Sequence, residues 1–263
     1  MCTLIALHRC VDRVGLVVAA NRDEFYDRPS EGPALRPTPF GSILAPLDSR
    51  AGGTWFGVNE RGVVAALTNR PCEGSDASRK SRGHVVIDAL AACNAEQAAD
   101  RLASIGTGVH NPFNAFVADG ENAFALVYEE SGVLSKLEPG AHVIGNADPD
   151  DRSNPKVNRV LDRAEAAAGG TLDVALDALA EACREKNCGS ETGTLGDTCV
   201  HTPTYGTRSS LLMSLDPQSG SDRFWYAEGP PCENDYQDFT PLLNELTRRG
   251  GYAAGDELAR TAQ

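Results

Sequence analysis

Lysine is scarce in this chain. Of its 24 basic residues only Lys80, Lys136, Lys156 and Lys186 are lysines, against 37 acidic residues and a formal net charge of -13. That balance argues against partners whose phosphates must be gripped by clustered Lys and Arg, so no nucleic acid and no anionic membrane surface is expected. High acid with little lysine suits a halophile's protein kept soluble in concentrated salt, and equally a GC-rich genome that trades Lys for Arg. Long apolar runs are missing too. Residues 3–20 are broken by His8, Arg9, Asp12 and Arg13, so no secretory leader forms. No run approaches the roughly 18–20 residues of a membrane helix, and a cytoplasmic protein without membrane insertion is expected. Repeats, low-complexity tracts and linkers are absent, which points to one domain over residues 1–263. Eight cysteines are present without an export signal, so most are expected reduced. Cys183, Cys188, Cys199 and His201 crowd together and could be read as a zinc cluster, but they lack a paired C-x-x-C spacing and lone core or loop thiols are the commoner reading, while His8, His84, His110, His142 and His201 show no ligand spacing. No metal and no cofactor is expected.

Strand and helix signals arrive in blocks. "TLIALHR" and "GLVVAA" read as two strands joined by a turn at Asp12–Gly15. Residues 27–41 carry four prolines and are expected to form an irregular loop, followed by a short strand "SILAP". A hairpin follows, with strands at Thr54–Val58 and Val63–Thr68. Two helices are predicted at Val85–Cys93 and, after a cap at Asn94, Ala95–Ile105. Four strands come next, within 114–146, then helices at Val157–Ala168 and Leu172–Arg184. A loop at Asn187–Pro203, two strands ("TRSSLLMSLD", "DRFWYAEG") and a short helix at Pro241–Arg249 complete the chain. Consecutive hairpins imply antiparallel sheets, and grouped helices imply layers packed on them, an α+β fold rather than a doubly wound one.

Several residues are suited to chemistry. Loss of Met1 would leave Cys2 with a thiol and a free α-amine on one carbon, a nucleophile beside its own base. The amine's ordinary pKa near 8 leaves a useful neutral fraction at pH 7. Taken alone, Cys2 reads as well as a small buried hydrophobe. If the first two strands pair antiparallel, Asn21, Arg22, Asp23 and Glu24 end beside Cys2. Arg22 would then favour the thiolate and Asp23 would orient the amine. The other reading of Arg22 and Asp23 is a solvated turn. Asn69 and Asn146 each end a strand, where an amide can donate to a developing oxyanion or simply close an Asx turn. Arg208 opens an apolar strand and needs a partner there. In "AGGTWFG", Trp55 and Phe56 offer a wall for an acyl or aromatic group, or belong to a hairpin core, which suits Phe56 better than Trp55. Asn21 joins Trp55 and Phe56 as a candidate substrate contact.

These motifs converge. "MCTL" at 1–4, "ANRDEF" at 20–25 with Arg28-Pro29, "GGTWFG" at 52–57, "ALTN" at 66–69, "GN" at 145–146 with Pro155-Lys156-Val157, and "YGTRSS" at 205–210 resemble the NRDE family. Its eukaryotic members are the transport-and-Golgi-organisation proteins. The resemblance implies kinship with the N-terminal nucleophile hydrolases of the choloylglycine hydrolase and penicillin acylase branch, and a four-layer αββα sandwich. It implies Cys2 as nucleophile and base, Arg22 and Asp23 around it, Asn69 and Asn146 toward the oxyanion, and Arg208 in support. Adjacent Arg22 and Asp23 point to opposite faces of a strand, so both reach Cys2 only where the strand ends or bulges. The implied activity is amide hydrolysis or acyl transfer on a small N-acyl, non-peptide substrate. The alternative is a binding or trafficking protein for haem, acyl-CoA or lipid on the same scaffold. The pocket would be built from loops 27–41, 70–82 and 187–206.

Overall fold

The computed structural model describes residues 2–186, 194–215 and 222–250. Two antiparallel sheets form its centre. The first runs β10 (Gly140–Ile144), β1 (Thr3–Val11), β2 (Val14–Phe25), β11 (Tyr205–Leu215), β12 (Arg223–Glu228), β13 (Gln237–Asp238). The second runs β3 (Ser30–Thr38), β4 (Gly41–Asp48), β5 (Phe56–Asn59), β6 (Val64–Asn69), β7 (Phe113–Ala118), β8 (Ala123–Tyr128), β9 (Gly132–Leu137). Helices α1 (Gly83–Ala89) and α2 (Ala95–Ala103) cover the second sheet, while α3 (Pro155–Ala167) and α4 (Leu172–Arg184) cover the first. The α5 helix (Thr240–Gly250) closes one side against β12, β4 and β3. This is the αββα sandwich expected of an α+β chain.

Three cores fill the three spaces between layers, and strand alternation assigns residues to them. Leu4, Ala6, Leu16 and Val18 face the second sheet and meet Phe56, Phe116 and Phe224. Their neighbours Ile5, Leu7, Val17 and Ala19 face α3 and α4 and meet Val160, Leu161 and Leu179. Because both faces of β1 and β2 are covered, these strands read as nearly unbroken apolar runs. Ala65, Ala115 and Val117 do the same for α1 and α2. Asn94 caps α2 by accepting from the Gln97 amide, as predicted.

The proline-rich stretch 27–41 departs from expectation. It holds β3 and the start of β4 rather than an irregular loop. Because β3 is an edge strand, Pro33 and Pro37 sit where a missing N–H costs no ladder bond, and a register shift between Glu31 and Ala34 absorbs the local irregularity. The β2 strand also runs on to Phe25, past the expected end at Ala20, because β11 supports it along its other edge. Part of the expected loop 187–203, namely residues 187–193, lies outside the described residues. Among the described residues, no helix is long and apolar enough to cross a membrane.

Candidate active site

The site forms where β1 begins. Antiparallel pairing ends at Thr3 opposite Asn21, so Cys2 lies one step beyond the ladder, beside Arg22. The Cys2 thiol lies 3.8 Å from the main-chain oxygen of Asp23. It is nearly enclosed, with 9 % of its surface exposed.

β2 distributes its polar end by alternation. Arg22 faces the space between the sheets, with its guanidinium 4.2 Å over the Trp55 ring and a 3.3 Å hydrogen bond to Ser30. Asp23 is buried and accepts a 2.6 Å hydrogen bond from the Thr207 hydroxyl. Its strongest electrostatic partner is Lys156, in the first turn of α3. The two charges therefore do point to opposite faces. Both still act on Cys2, which stands one residue beyond the ladder's end. A β-bulge lies on the partner strand: Thr207 pairs with Asp23 and Ser209 with Arg22, leaving Arg208 as the extra residue.

Burial dominates the titration of the cluster. It pushes the Cys2 thiol up, and Asp23 adds to that while Arg22 opposes it. Burial likewise raises Asp23, against Lys156 and the Thr207 hydrogen bond. Burial lowers Lys156, against the attraction of Asp23 and Cys2. Arg22 is lowered by its desolvation, with Cys2 acting the other way.

Cys2 forms part of the wall of two cavities. One, of about 260 Å³ and mainly polar, is bounded by Arg22, Asp23, Arg28, Trp55, Asn69 and Arg82. The other, of about 340 Å³ and mainly apolar, is bounded by Val143, Asn146, Pro155, Lys156, Val157 and Leu195. Asn69 and Asn146 are joined directly, the Asn146 amide donating to the Asn69 main-chain oxygen. Asn114 secures the same corner by donating to the carbonyls of Gly145 (3.0 Å) and Ala147 (2.7 Å).

Three candidates lie elsewhere. Asn21 falls on the helix-facing side of β2, where its amide donates to the carbonyls of Cys183 (2.8 Å) and Thr198 (2.9 Å). It is a packing residue, because its amide is spent on those two carbonyls and it borders neither cavity. Phe56 is fully buried between the sheets and stacks on Phe224 with centroids 6.3 Å apart. Trp55, its neighbour, takes the cavity instead. Arg208 borders neither cavity. As the bulged residue it is displaced toward Tyr26, whose ring centroid is 5.6 Å from its guanidinium.

Two residues of the cluster carried no assigned role in the sequence, Lys156 and Thr207. Lys156 had a signal: a cation in the first turn of α3, which has no acidic residue, opposes the helix dipole unless something nearby requires it. Its Nζ is shielded from solvent and makes no hydrogen bond. Among the described residues Cys183 does not join Cys199 and His201 in one group. Cys183 is buried in α4, and Cys188 lies outside the described residues.

Known proteins resemble this chain in sequence and in fold. The human Transport and Golgi organization protein 2 homolog is 28 % identical over 230 residues, covering 76 % of this chain and 82 % of its own. The Bos taurus homolog is 32 % identical over 145 residues, half of each chain. Among solved structures, the Caenorhabditis elegans ortholog of N-acylethanolamine-hydrolyzing acid amidase superposes with a TM-score of 0.54 at 12 % identity, covering 80 % of this chain and 92 % of that one. The C2A mutant of conjugated bile acid hydrolase from Clostridium perfringens gives 0.51 at 12 % identity, covering 92 % and 93 %. These two likenesses show a shared fold. Residues 1–228 match the family described as Transport and Golgi organisation 2, and the chain belongs to that family.

Proposed function

We propose that this protein is an N-terminal-cysteine amidohydrolase or acyltransferase acting on a small N-acyl, non-peptide amide. The observation that carries this reading is the position of Cys2, its thiol in the wall shared by an apolar and a polar cavity. The apolar chamber, bounded by Val143, Val157 and Leu195, suits the acyl chain, and the polar chamber suits the amine portion. The fold neighbours named above are an acid amidase and a bile acid hydrolase, which agrees with amide chemistry.

The chemistry requires removal of Met1, so that the amine belongs to residue 2. That amine takes the thiol proton, and the Cys2 sulfur bonds to the substrate carbonyl carbon. The oxyanion accepts hydrogen bonds from the amides of Asn69 and Asn146. Collapse breaks the C–N bond, with the ammonium proton passing to the leaving amine, and leaves a thioester. Water, or an acceptor amine in the transferase case, attacks the thioester carbon and gives a proton to the α-amine. The C–S bond breaks and the thiol is restored. Asp23 would orient the ammonium, with Lys156 and Thr207 favouring its carboxylate form against the effect of burial. Arg22 would favour the thiolate.

The test is incubation of the mature protein with N-acyl amides of graded chain length, reading amine release and peptide-resolved acylation. Acyl transfer to Cys2 with stoichiometric release of amine is expected. No acyl-Cys2 and no amine, alongside tight haem or acyl-CoA binding that survives Cys2→Ala, would replace this reading with the binding and trafficking one.

A further inference from the structure

A second cluster of reactive side chains is built from chain segments far apart in sequence. Cys199 and His201 lie in the segment leading into β11, and Cys232 lies in the turn after β12. The Cys199 and Cys232 sulfurs are 3.3 Å apart, and His201 Nε2 is 3.1 Å from the Cys232 sulfur and 3.6 Å from the Cys199 sulfur. Among the described residues it is the one group of three such donors that converges on a single point. We propose that Cys199, His201 and Cys232 form a zinc site.

The donor chemistry selects the ion. Two thiolates and an imidazole form a soft set that suits zinc over magnesium or calcium. A tetrahedral zinc with Zn–S of about 2.3 Å and Zn–N of about 2.0–2.1 Å places its ligand atoms about 3.5–3.8 Å apart. The observed separations need open by only a few tenths of an ångström. Two thiolates also neutralise the divalent charge, so the ion can lie beside the fully buried Cys199 without leaving a net charge in the interior. A disulfide would account for the two sulfurs but not for an imidazole nitrogen close to both. The fourth position is left to water or a small anion.

The backbone around the ligands is already held. The Cys199 amide donates to Glu185 (2.9 Å), His201 bridges to Gly206, and the Cys232 turn is closed by Glu233 and Asn234 amides donating to Pro230 (both 3.0 Å). Zinc would therefore act as a clip between the entry to β11 and the end of β12. Between the two ligands of that entry segment, the Val200 amide donates to Thr207 Oγ1 (2.8 Å), whose hydroxyl donates to Asp23. The clip thus supports the strand end that holds Asp23.

The experiment uses the full chain purified under reducing conditions. One equivalent of zinc by elemental analysis is expected. After chelator treatment, cobalt(II) should bind 1:1 with the visible d–d bands of a tetrahedral ion and a thiolate charge-transfer band, and zinc should displace it. Tm should fall on chelation and recover with zinc. Cys199→Ser, Cys232→Ser and His201→Ala should each abolish the stoichiometric cobalt spectrum, while Cys72→Ser, at an exposed thiol, should keep it. The wild-type spectrum alone decides the matter if a variant fails to fold. No stoichiometric metal, an octahedral cobalt spectrum without charge transfer, a spectrum unchanged in Cys232→Ser, or a Cys199–Cys232 disulfide in protein isolated from reducing cytoplasm would each overturn the site.

Discussion

The thiol of Cys2 and the main-chain oxygen of Asp23 lie 3.8 Å apart, so Cys2 is tied to the backbone of Asp23 while that residue's side chain turns toward α3. Arg22, one residue earlier, turns the other way, toward Trp55. Opposite charges on adjacent residues therefore reach one sulfur from two sides.

Their influences have opposite signs. Asp23 raises the Cys2 thiol and Arg22 lowers it. Removing each should move the thiol in opposite directions. In Arg22→Gln the pH profile of Cys2 alkylation, followed by peptide mass spectrometry, should shift to higher pH. In Asp23→Asn it should shift to lower pH. Shifts in the same direction, or no shift in either variant, would contradict the opposed influence of the two charges on the thiol.

Asn69 and Asn146 should separate chemistry from stability. Truncating either to Ala should lower kcat by about 10²–10³-fold if it donates to an oxyanion. Asn146→Ala should also cost about 1 kcal/mol of stability, since its amide holds the Asn69 carbonyl across two sheets. Denaturant midpoints and steady-state rates measured on the same preparations check both.

Trp55 and Phe56 are neighbours with opposite expected phenotypes. Phe56→Ala empties a site between the sheets and should cost about 3–5 kcal/mol in chemical denaturation. Trp55→Ala should cost less stability and impair substrate turnover, because Trp55 lines the polar cavity and backs Arg22.

The relation between these two residues marks the limit of what the sequence discloses. Trp55 lies just before β5 and packs on the margin of the same inter-sheet core that encloses Phe56, so no strand alternation separates them, and the stacking of the two sheets decides which one reaches the cavity. The β1–β2 pairing could be read because it is local, and it brought Cys2 to Arg22 and Asp23. Asn21 shares a face with Asp23, and only its partners about 160–180 positions away, the Cys183 and Thr198 carbonyls, show that its amide is spent on packing. The β2–β11 pairing joins residues about 180 positions apart, as in the Asp23–Thr207 bond. No local pattern announces it, so the bulge that displaces Arg208 and the extension of β2 to Phe25 were not legible. The prolines of β3 looked like breakers until the edge position of the strand made them harmless. Cys232 gave no sign of approaching Cys199, because loops after strands carry no register.

A pH effect on stability should arise at His142. Burial works to lower its pKa, but the 2.7 Å hydrogen bond from Nδ1 to Asp150 Oδ2 and a bond to the Glu138 carbonyl outweigh it, holding His142 above its ordinary value. A raised folded-state pKa stabilises fully below the unfolded value of about 6.5 and is lost as pH rises through the folded value. The gap in stability between wild type and Asp150→Asn should therefore be widest at acid pH and shrink toward alkaline pH. Asn is the suitable replacement because residue 150 has φ of 58°, which Asn tolerates. Neighbouring His8 is pushed down by burial and titrates with the opposite sign, and it is common to both proteins. Urea midpoints across the neutral range check this.

Whether Cys2 is an amino-terminal nucleophile is the claim on which the rest depends. Intact and peptide-level mass spectrometry of the protein during turnover of an N-acyl amide tests it in one measurement. Met1 should be absent, a single acyl group should be carried as a thioester on Cys2, and Cys2→Ala should carry none. Turnover-competent protein that retains Met1, or an acyl group found on any other residue, would contradict it.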